Sequence, residues 1–205
     1  MRLFPLFASN LIEDRFDDEN ILLSIKEIFN NTEFENYDDD QRSNNSGSLS
    51  FSIINDYPEI KNKILYYFEK CNELLFHYPC RFKISTSWFT KTSKGGFSQF
   101  HSHRNSFYSG VLYFGEYSND YGPIEFTSPV ADLFSNYVIP KKYNVYNCEV
   151  WKVYPTKGTI LFFPSYLKHR IGEHNSNEER CSLAFNIVPI GEYGIEDSYY
   201  NTEWF

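Results

Sequence analysis

The chain is short of the features that most quickly place a protein in a class. Only four of its 205 residues are cysteines: Cys71, Cys80, Cys148 and Cys181. None forms a C-x-x-C pair and the spacing fits no zinc pattern, so free thiols in a reducing compartment are expected. Positive charge is also in deficit, with 19 Lys and Arg against 27 Asp and Glu and a net charge of −8. Phosphate backbones are gripped by clustered cations, so nucleic acid is not an expected partner. One well-placed Arg could still hold a small anion. No apolar run reaches the roughly 18–20 residues of a membrane helix. The opening "MRLFPLFASNLIEDRF" carries too short an apolar core for a signal peptide. These absences point to a soluble, cytoplasmic chain with no membrane partner. No internal repeat or boundary divides it, and its length suits one domain over 1–205.

What the chain does have is aromatic residues, 20 Phe and 17 Tyr, which favour half-buried strands. "RLFPLFAS" reads as a short edge strand interrupted by Pro5. "DDENILLSIKEIFNN" spaces Ile21, Leu22, Ile25, Ile28 and Phe29 as one face of a helix. "ENYDDDQRSNNSGS" is polar and rich in turn formers, a surface loop. A second helix is expected over "DYPEIKNKILYYFEKCNELLFHY". Asp56 would cap it and Pro58 would occupy its first turn. Ile60, Ile64, Leu65, Phe68, Leu74 and Leu75 would form its buried stripe.

After about residue 80 the period drops from 3.6 to 2. "RFKISTSWFTKT", "FSQFHSH", "YSGVLYFG", "PIEFTSP", "CEVWKVYP", "GTILFFPS" and "ERCSLAFNIVPI" all read as strands separated by turn residues. So many short strands mean a β-sandwich or barrel, with the two helices covering one sheet face. The expected division is strand and helices over 1–80, a β core over 81–190 and an acidic, aromatic tail over 191–205.

Two of the five histidines, His101 and His103, stand two apart in a strand-like run. Alternation would put both on one face, about 7 Å apart at the backbone, where they could converge on a metal. Two polar residues on a solvated face would look the same. A second stretch, "GTILFFPSYLKHRIGEHNSNEERCSLAFN", adds His169 after an apolar strand that runs from Gly158 to Pro164. Arg180 and Ser182 follow, two apart on a strand face. An Arg fork beside a hydroxyl suits a carboxylate. One metal and one carboxylate could therefore bind side by side. His77 and His174 belong to no such pattern.

The order H-x-H, then G-T-I-L-F-F-P-S-x-L-x-H, then R-x-S resembles the iron(II)- and 2-oxoglutarate-dependent oxygenases. More narrowly, "SWFTKTSKGGFSQFHSHRNSFYSGVLYF" with "LFFPSYLKHRI" and "ERCSLAFN" is similar to a little-characterised group of them that carries an H-x-H segment. The resemblance covers most of the chain. It implies a mainly β fold, a double-stranded β-helix (jelly roll) with two N-terminal helices on one sheet. It implies Fe(II), 2-oxoglutarate and O2 as cofactor and co-substrates, with His101, His103 and His169 as catalytic metal ligands. Arg180 and Ser182 would clamp the far carboxylate of 2-oxoglutarate, with Tyr113 beside them. Ser109 and Val111 would share that pocket, and Trp88 and Asn186 would form its wall. The implied activity is a dioxygenase that hydroxylates a peptide side chain or small metabolite, releasing succinate and CO2.

His103 departs from the superfamily pattern, which has Asp or Glu at that position. Glu125 is the nearest acidic stand-in, although a solvent-facing strand residue is the plainer expectation for it. A cupin-like metalloenzyme without 2-oxoglutarate, and a non-catalytic jelly-roll module, are the competing readings. The segments 36–48 and 130–148 are candidate lids over the site.

Overall fold

The computed structural model describes residues 2, 8–37, 43–130 and 138–202. The edge strand expected over 2–9 falls largely outside them, as do parts of both candidate lids. Helix α1 (Glu19–Asn30) starts at Asp18, whose carboxylate accepts from the Ile21 amide at 3.1 Å, a side-chain cap on the first turn. Helix α2 (Pro58–Cys71) carries Pro58 in its first turn as expected. Tyr57 is its cap residue and makes no side-chain capping bond; Asp56 does not take that place. Leu74 and Leu75 are 67% and 60% exposed and are not part of the buried stripe. A π turn over Asn72–Phe76 follows α2 and breaks the 3.6 spacing on which that stripe depended.

The described residues form twelve strands: β1 (Ile12–Arg15), β2 (Phe34–Asn36), β3 (Asn45–Ser48), β4 (Arg81–Thr92), β5 (Tyr108–Leu112) and β6 (Ile124–Thr127). Then come β7 (Val150–Val153), β8 (Thr159–Pro164), β9 (His169–Ile171), β10 (Arg180–Ile190), β11 (Glu192–Tyr193) and β12 (Tyr200–Asn201). The larger sheet runs β1-β8-β5-β10-β4-β3-β2 and the smaller β7-β6-β9, antiparallel throughout. They face each other as a jelly roll, and the larger sheet carries the two helices on its other side. The polar run 35–48 supplies β2 and β3 at its ends instead of remaining a loop. The tail from Glu192 folds on itself as the β11–β12 hairpin. No described helix is long and apolar enough to cross a membrane.

Strand alternation divides the buried residues into two clusters. Phe89, Leu112, Phe162, Leu183 and Phe185 face the helices, against Leu22, Ile25, Ile64 and Phe68. Val111, Tyr113, Leu161 and Phe163 face the smaller sheet, against Ile124 and Phe126. A β-bulge in β4 makes this division possible. Asn186 pairs with Thr86 but Ile187 pairs with Ile84, leaving Ser85 unpaired. Phe82 and Ile84 therefore share the helix face with Phe89, while Thr86, Trp88 and Thr90 turn to the inner face. Strict period-2 counting would have put Trp88 on the helix face with Phe82.

Candidate active site

The segment 97–103 is not the strand that its alternation suggested. Only His101 forms a bridge, to His169 at the head of β9. Their amides exchange hydrogen bonds with each other's carbonyls at 3.0 and 2.9 Å. The amide of Ser98 donates to the Ile171 carbonyl at 3.0 Å, so the segment lies along β9 as an irregular edge to the smaller sheet. Two residues on, the His103 amide donates to the Ser165 carbonyl at 3.0 Å, which turns the chain across to the larger sheet. The three imidazoles thus meet from three directions. Their ring centres are 4.6 Å (His101–His169), 5.1 Å (His103–His169) and 5.3 Å (His101–His103) apart. One nitrogen from each lies within 4.8 Å of the others.

The backbone sets the tautomers. His101 Nδ1 is 2.9 Å from the Gln99 carbonyl, and His169 Nδ1 is 2.9 Å from the Leu167 carbonyl. A carbonyl only accepts, so each Nδ1 carries the hydrogen and Nε2 carries the lone pair. This is the arrangement by which metal-binding histidines are oriented through their second nitrogen. Burial, with repulsion from His101 and His103, lowers the His169 pKa to about 3, so this ring is neutral at physiological pH. Phe163 lies against His169 at 4.7 Å between rings, and Trp88 against His103 at 5.4 Å.

Glu125 does not complete this group, and it is not solvent-facing either. It is 4% exposed, with its carboxylate held by Lys152 and Arg170, each at 2.7 Å. Burial pushes its pKa up, but the two cations outweigh burial and hold it below the usual carboxylate range. It alternates with Ile124 and Phe126, which point inward, and so turns its back on the histidines.

Arg180 opens β10 and is 1% exposed. Its Nε donates to the Gly122 carbonyl at 2.9 Å and its Nη2 to the Tyr113 hydroxyl at 2.8 Å. Its Nη1 is buried without a partner. Glu179 pairs with Lys91 instead (3.7 Å), and no acid pairs with Arg180 among the described residues. A buried guanidinium stays charged, and leaving one of its nitrogens unbonded is costly unless an anion binds there. Next to it, the Ser182 hydroxyl lies 2.6 Å from that of Thr90. Burial raises the Tyr113 pKa, while Arg180 pulls it down less strongly, so Tyr113 keeps its proton and can donate. His174, fully buried, accepts from the Gly122 amide (3.1 Å) and donates to the Glu178 carbonyl (2.7 Å). It thereby fixes the Gly122 loop whose carbonyl steers Arg180.

Imidazoles and guanidinium line one cavity of about 380 Å³ between the sheets. Along the inner face of β10 come Arg180, Ser182, Ala184 and Asn186, each about 7 Å from the last. Val111 lies opposite Ala184 and Ser109 opposite Asn186. Phe163, which touches His169, is in turn paired with Ser109. The imidazoles therefore stand toward the Asn186 end of this row and the guanidinium at its other end, with small Ala184 between them.

The other sequence candidates divide. Val111, Trp88 and Asn186 line the cavity; Ser109 does not. Ser109 is 1% exposed and donates to Asn186 Oδ1 at 2.7 Å, while its oxygen is 2.8 Å from the Ser165 hydroxyl. Asn186 Nδ2 donates to the Thr86 hydroxyl at 2.9 Å. With Ser109 already donating, Ser165 donates to Ser109, and the chain Ser165→Ser109→Asn186→Thr86 has one direction. It leaves the Thr86 hydroxyl's own hydrogen to point into the cavity that Thr86 lines. Thr86 and Thr90 were absent from the sequence reading. Their signal was the alternation through Trp88, but only the bulge at Ser85 shows which face that is.

Residues 86–186 match the model of a family described as "Putative 2OG-Fe(II) oxygenase". No curated protein matches the chain. Among solved structures, the fold is similar to an oxidoreductase of the 2OG-Fe(II) oxygenase family from Burkholderia pseudomallei (TM-score 0.62, 14% identity, covering 87% of this chain and 84% of that one). It is also similar to a Trichoplax adhaerens prolyl hydroxylase in complex with a hypoxia inducible factor peptide fragment (0.63, 12% identity, 89% and 85%). A third is HygX from Streptomyces hygroscopicus with nickel, 2-oxoglutarate and hygromycin B bound (0.60, 8% identity, 88% and 83%).

Proposed function

Because residues 86–186 match the model of the family described as "Putative 2OG-Fe(II) oxygenase", we propose that the chain is an iron(II)- and 2-oxoglutarate-dependent dioxygenase that hydroxylates a peptide side chain. The observation that carries the reading is Arg180. It is a buried, permanently charged guanidinium with one nitrogen unpartnered, lining the cavity that three imidazoles enter. The residues fit the implied groups. His101, His103 and His169 would hold the metal, the first and last through Nε2. Arg180 Nη1 and the Ser182 and Thr90 hydroxyls would take the far carboxylate of 2-oxoglutarate. Iron with 2-oxoglutarate, when bound there, would supply the activation of O2, with one oxygen atom leaving in succinate as CO2 is lost and the other entering the substrate.

The protein's part is placement and exclusion of water. Tyr113 and Gly122 hold the guanidinium in place. Val111 and Ala184 wall the carbon chain between clamp and metal. Phe163 and Trp88 shield the imidazoles, and Thr86 and Asn186 offer donors to an acceptor next to the reacting carbon. Three neutral imidazoles, in place of two and a carboxylate, leave the metal's full double charge uncompensated, which strengthens its hold on anionic ligands. A peptide is supported by a second, open groove of about 490 Å³ that meets the cavity at His103. It is lined by Tyr78, Arg104, Phe107 and Tyr166, which suit an extended chain.

The test is thermal unfolding with Mn(II), with and without 2-oxoglutarate, alongside succinate release with Fe(II) in the absence of substrate. Wild type should melt higher with both ligands than with Mn(II) alone and should form succinate. Arg180→Ala should lose most of both, its 2-oxoglutarate affinity falling on the order of 100-fold for a doubly hydrogen-bonded ion pair. A folded wild type indifferent to 2-oxoglutarate would sink the reading.

A further inference from the structure

We infer that Tyr37, from the polar segment before β3 and outside the matched family region, adds a third hydroxyl to those of Ser182 and Thr90 at the 2-oxoglutarate carboxylate site, admitted there because residue 47 is glycine. This rests on the reading of the cavity given above. Strand β3 pairs with β4 so that Asn45 stands opposite Thr92 and Gly47 opposite Thr90. Thr90 in turn stands opposite Ser182. Directly paired residues share a face, so Gly47, Thr90 and Ser182 form one row across the cavity floor, the row of the proposed clamp. Gly47 has no side chain to contribute. A Cβ there would collide with the hydroxyl oxygen and ring carbons of Tyr37, so the phenol sits in the space a side chain at 47 would fill. Tyr37 also lines the same cavity as Arg180, Ser182 and Tyr113.

The backbone holds the phenol there. The Tyr37 amide donates to the Asn45 carbonyl at 2.9 Å, prolonging the β2–β3 pairing by one residue. The Ser46 hydroxyl donates to Asn36 Oδ1 at 2.6 Å on the opposite face. Asn45 is 4% exposed and its amide nitrogen donates to the Phe97 carbonyl, which ties β3 to the segment leading to His101. Cross-strand neighbours are about 5 Å apart, so a hydroxyl above Gly47 is within reach of a carboxylate seated between Thr90, Ser182 and Arg180. A phenol donates one hydrogen bond and a carboxylate only accepts, so the polarities agree.

The experiment is calorimetric titration of the full chain in Mn(II) with 2-oxoglutarate, for wild type, Tyr37→Phe, Gly47→Ala and Arg180→Ala. Tyr37→Phe keeps the ring and removes only the donor. Its Kd for 2-oxoglutarate should rise about tenfold, with Mn(II) affinity and melting temperature unchanged. Gly47→Ala, which displaces the phenol, should lose at least as much. Adding Tyr37→Phe to it should cost nothing further, because both act through one hydroxyl. Pyruvate has the metal-binding end without the far carboxylate, and Tyr37→Phe should not alter its binding. Unchanged 2-oxoglutarate affinity in Tyr37→Phe, with Arg180→Ala deficient, overturns the role of Tyr37 and leaves the oxygenase reading standing. A wild type that binds no 2-oxoglutarate overturns both.

Discussion

The two faces of the larger sheet are built from the same strands and have opposite characters. On the helix face, Phe68 touches Phe82, Tyr108 and Phe162 at 5.0–5.5 Å between ring centres, and α1 and α2 close over them. On the inner face, one residue further along each strand, stand Arg180, Ser182, Thr90, Asn186 and Thr86. There, buried polar atoms are left with unmet hydrogen-bonding capacity, Arg180 Nη1 and Asn45 Oδ1 among them. One face is satisfied by its own packing, and the other keeps buried polar atoms without partners among the described residues. Stability should therefore belong to the first and ligand chemistry to the second.

The sharpest way to break that comparison is Phe68→Ala. It should cost about 3–5 kcal/mol in urea unfolding by opening a cavity under α2. The fraction that stays folded should bind Mn(II) and 2-oxoglutarate with unchanged affinity. A loss of ligand affinity comparable to the loss of stability would show that the faces are not independent.

A smaller effect comes from pH. His169 has its folded pKa lowered to about 3 from an ordinary 6.5, so the unfolded chain takes up this proton first. Its contribution to stability is complete above pH 6.5 and is lost progressively below it. The metal-free protein should lose about 2 kcal/mol between pH 6.5 and 5 from this group alone. Urea unfolding of wild type and His169→Gln across that range checks it: wild type should show the slope and the variant should lack it. Equal slopes would place the pH sensitivity elsewhere.

The smallest effect is expected from Ser109→Ala. It removes one link of the Ser165→Ser109→Asn186→Thr86 chain without touching the cavity, and should cost about 1 kcal/mol in stability. Substrate-stimulated succinate release should fall, while uncoupled release stays near wild type, because the Asn186 amide loses its orientation and the clamp does not. A uniform fall in both would make Ser109 merely structural.

Much of the site could be read from the chain because its residues lie close in sequence to recognisable punctuation. His101 and His103 are two apart, His169 follows a Gly-to-Pro strand, and Arg180-x-Ser182 opens the last long strand. Those spacings survive folding, and the structure gathers these five with Tyr113, Val111, Trp88 and Asn186 around one cavity. The misses have local physical causes. The bulge at Ser85 reverses alternation midway along β4, the π turn after Cys71 exposes Leu74 and Leu75, and two cations rather than a metal claim Glu125.

By itself, then, the sequence determined the mainly β fold class, the two-helix and many-strand plan, and most of the candidate side chains that meet around one cavity. Periodicity and residue type are properties of neighbours along the chain. Only the tertiary structure decided that Glu125 faces away from the histidines, that Ser109 serves Asn186 and not the cavity, and that Tyr37 occupies the space left by Gly47. Each of these depends on which strands lie side by side and in what register. Register is set by the packing of the whole sheet against both its neighbours, and no short window of sequence contains it.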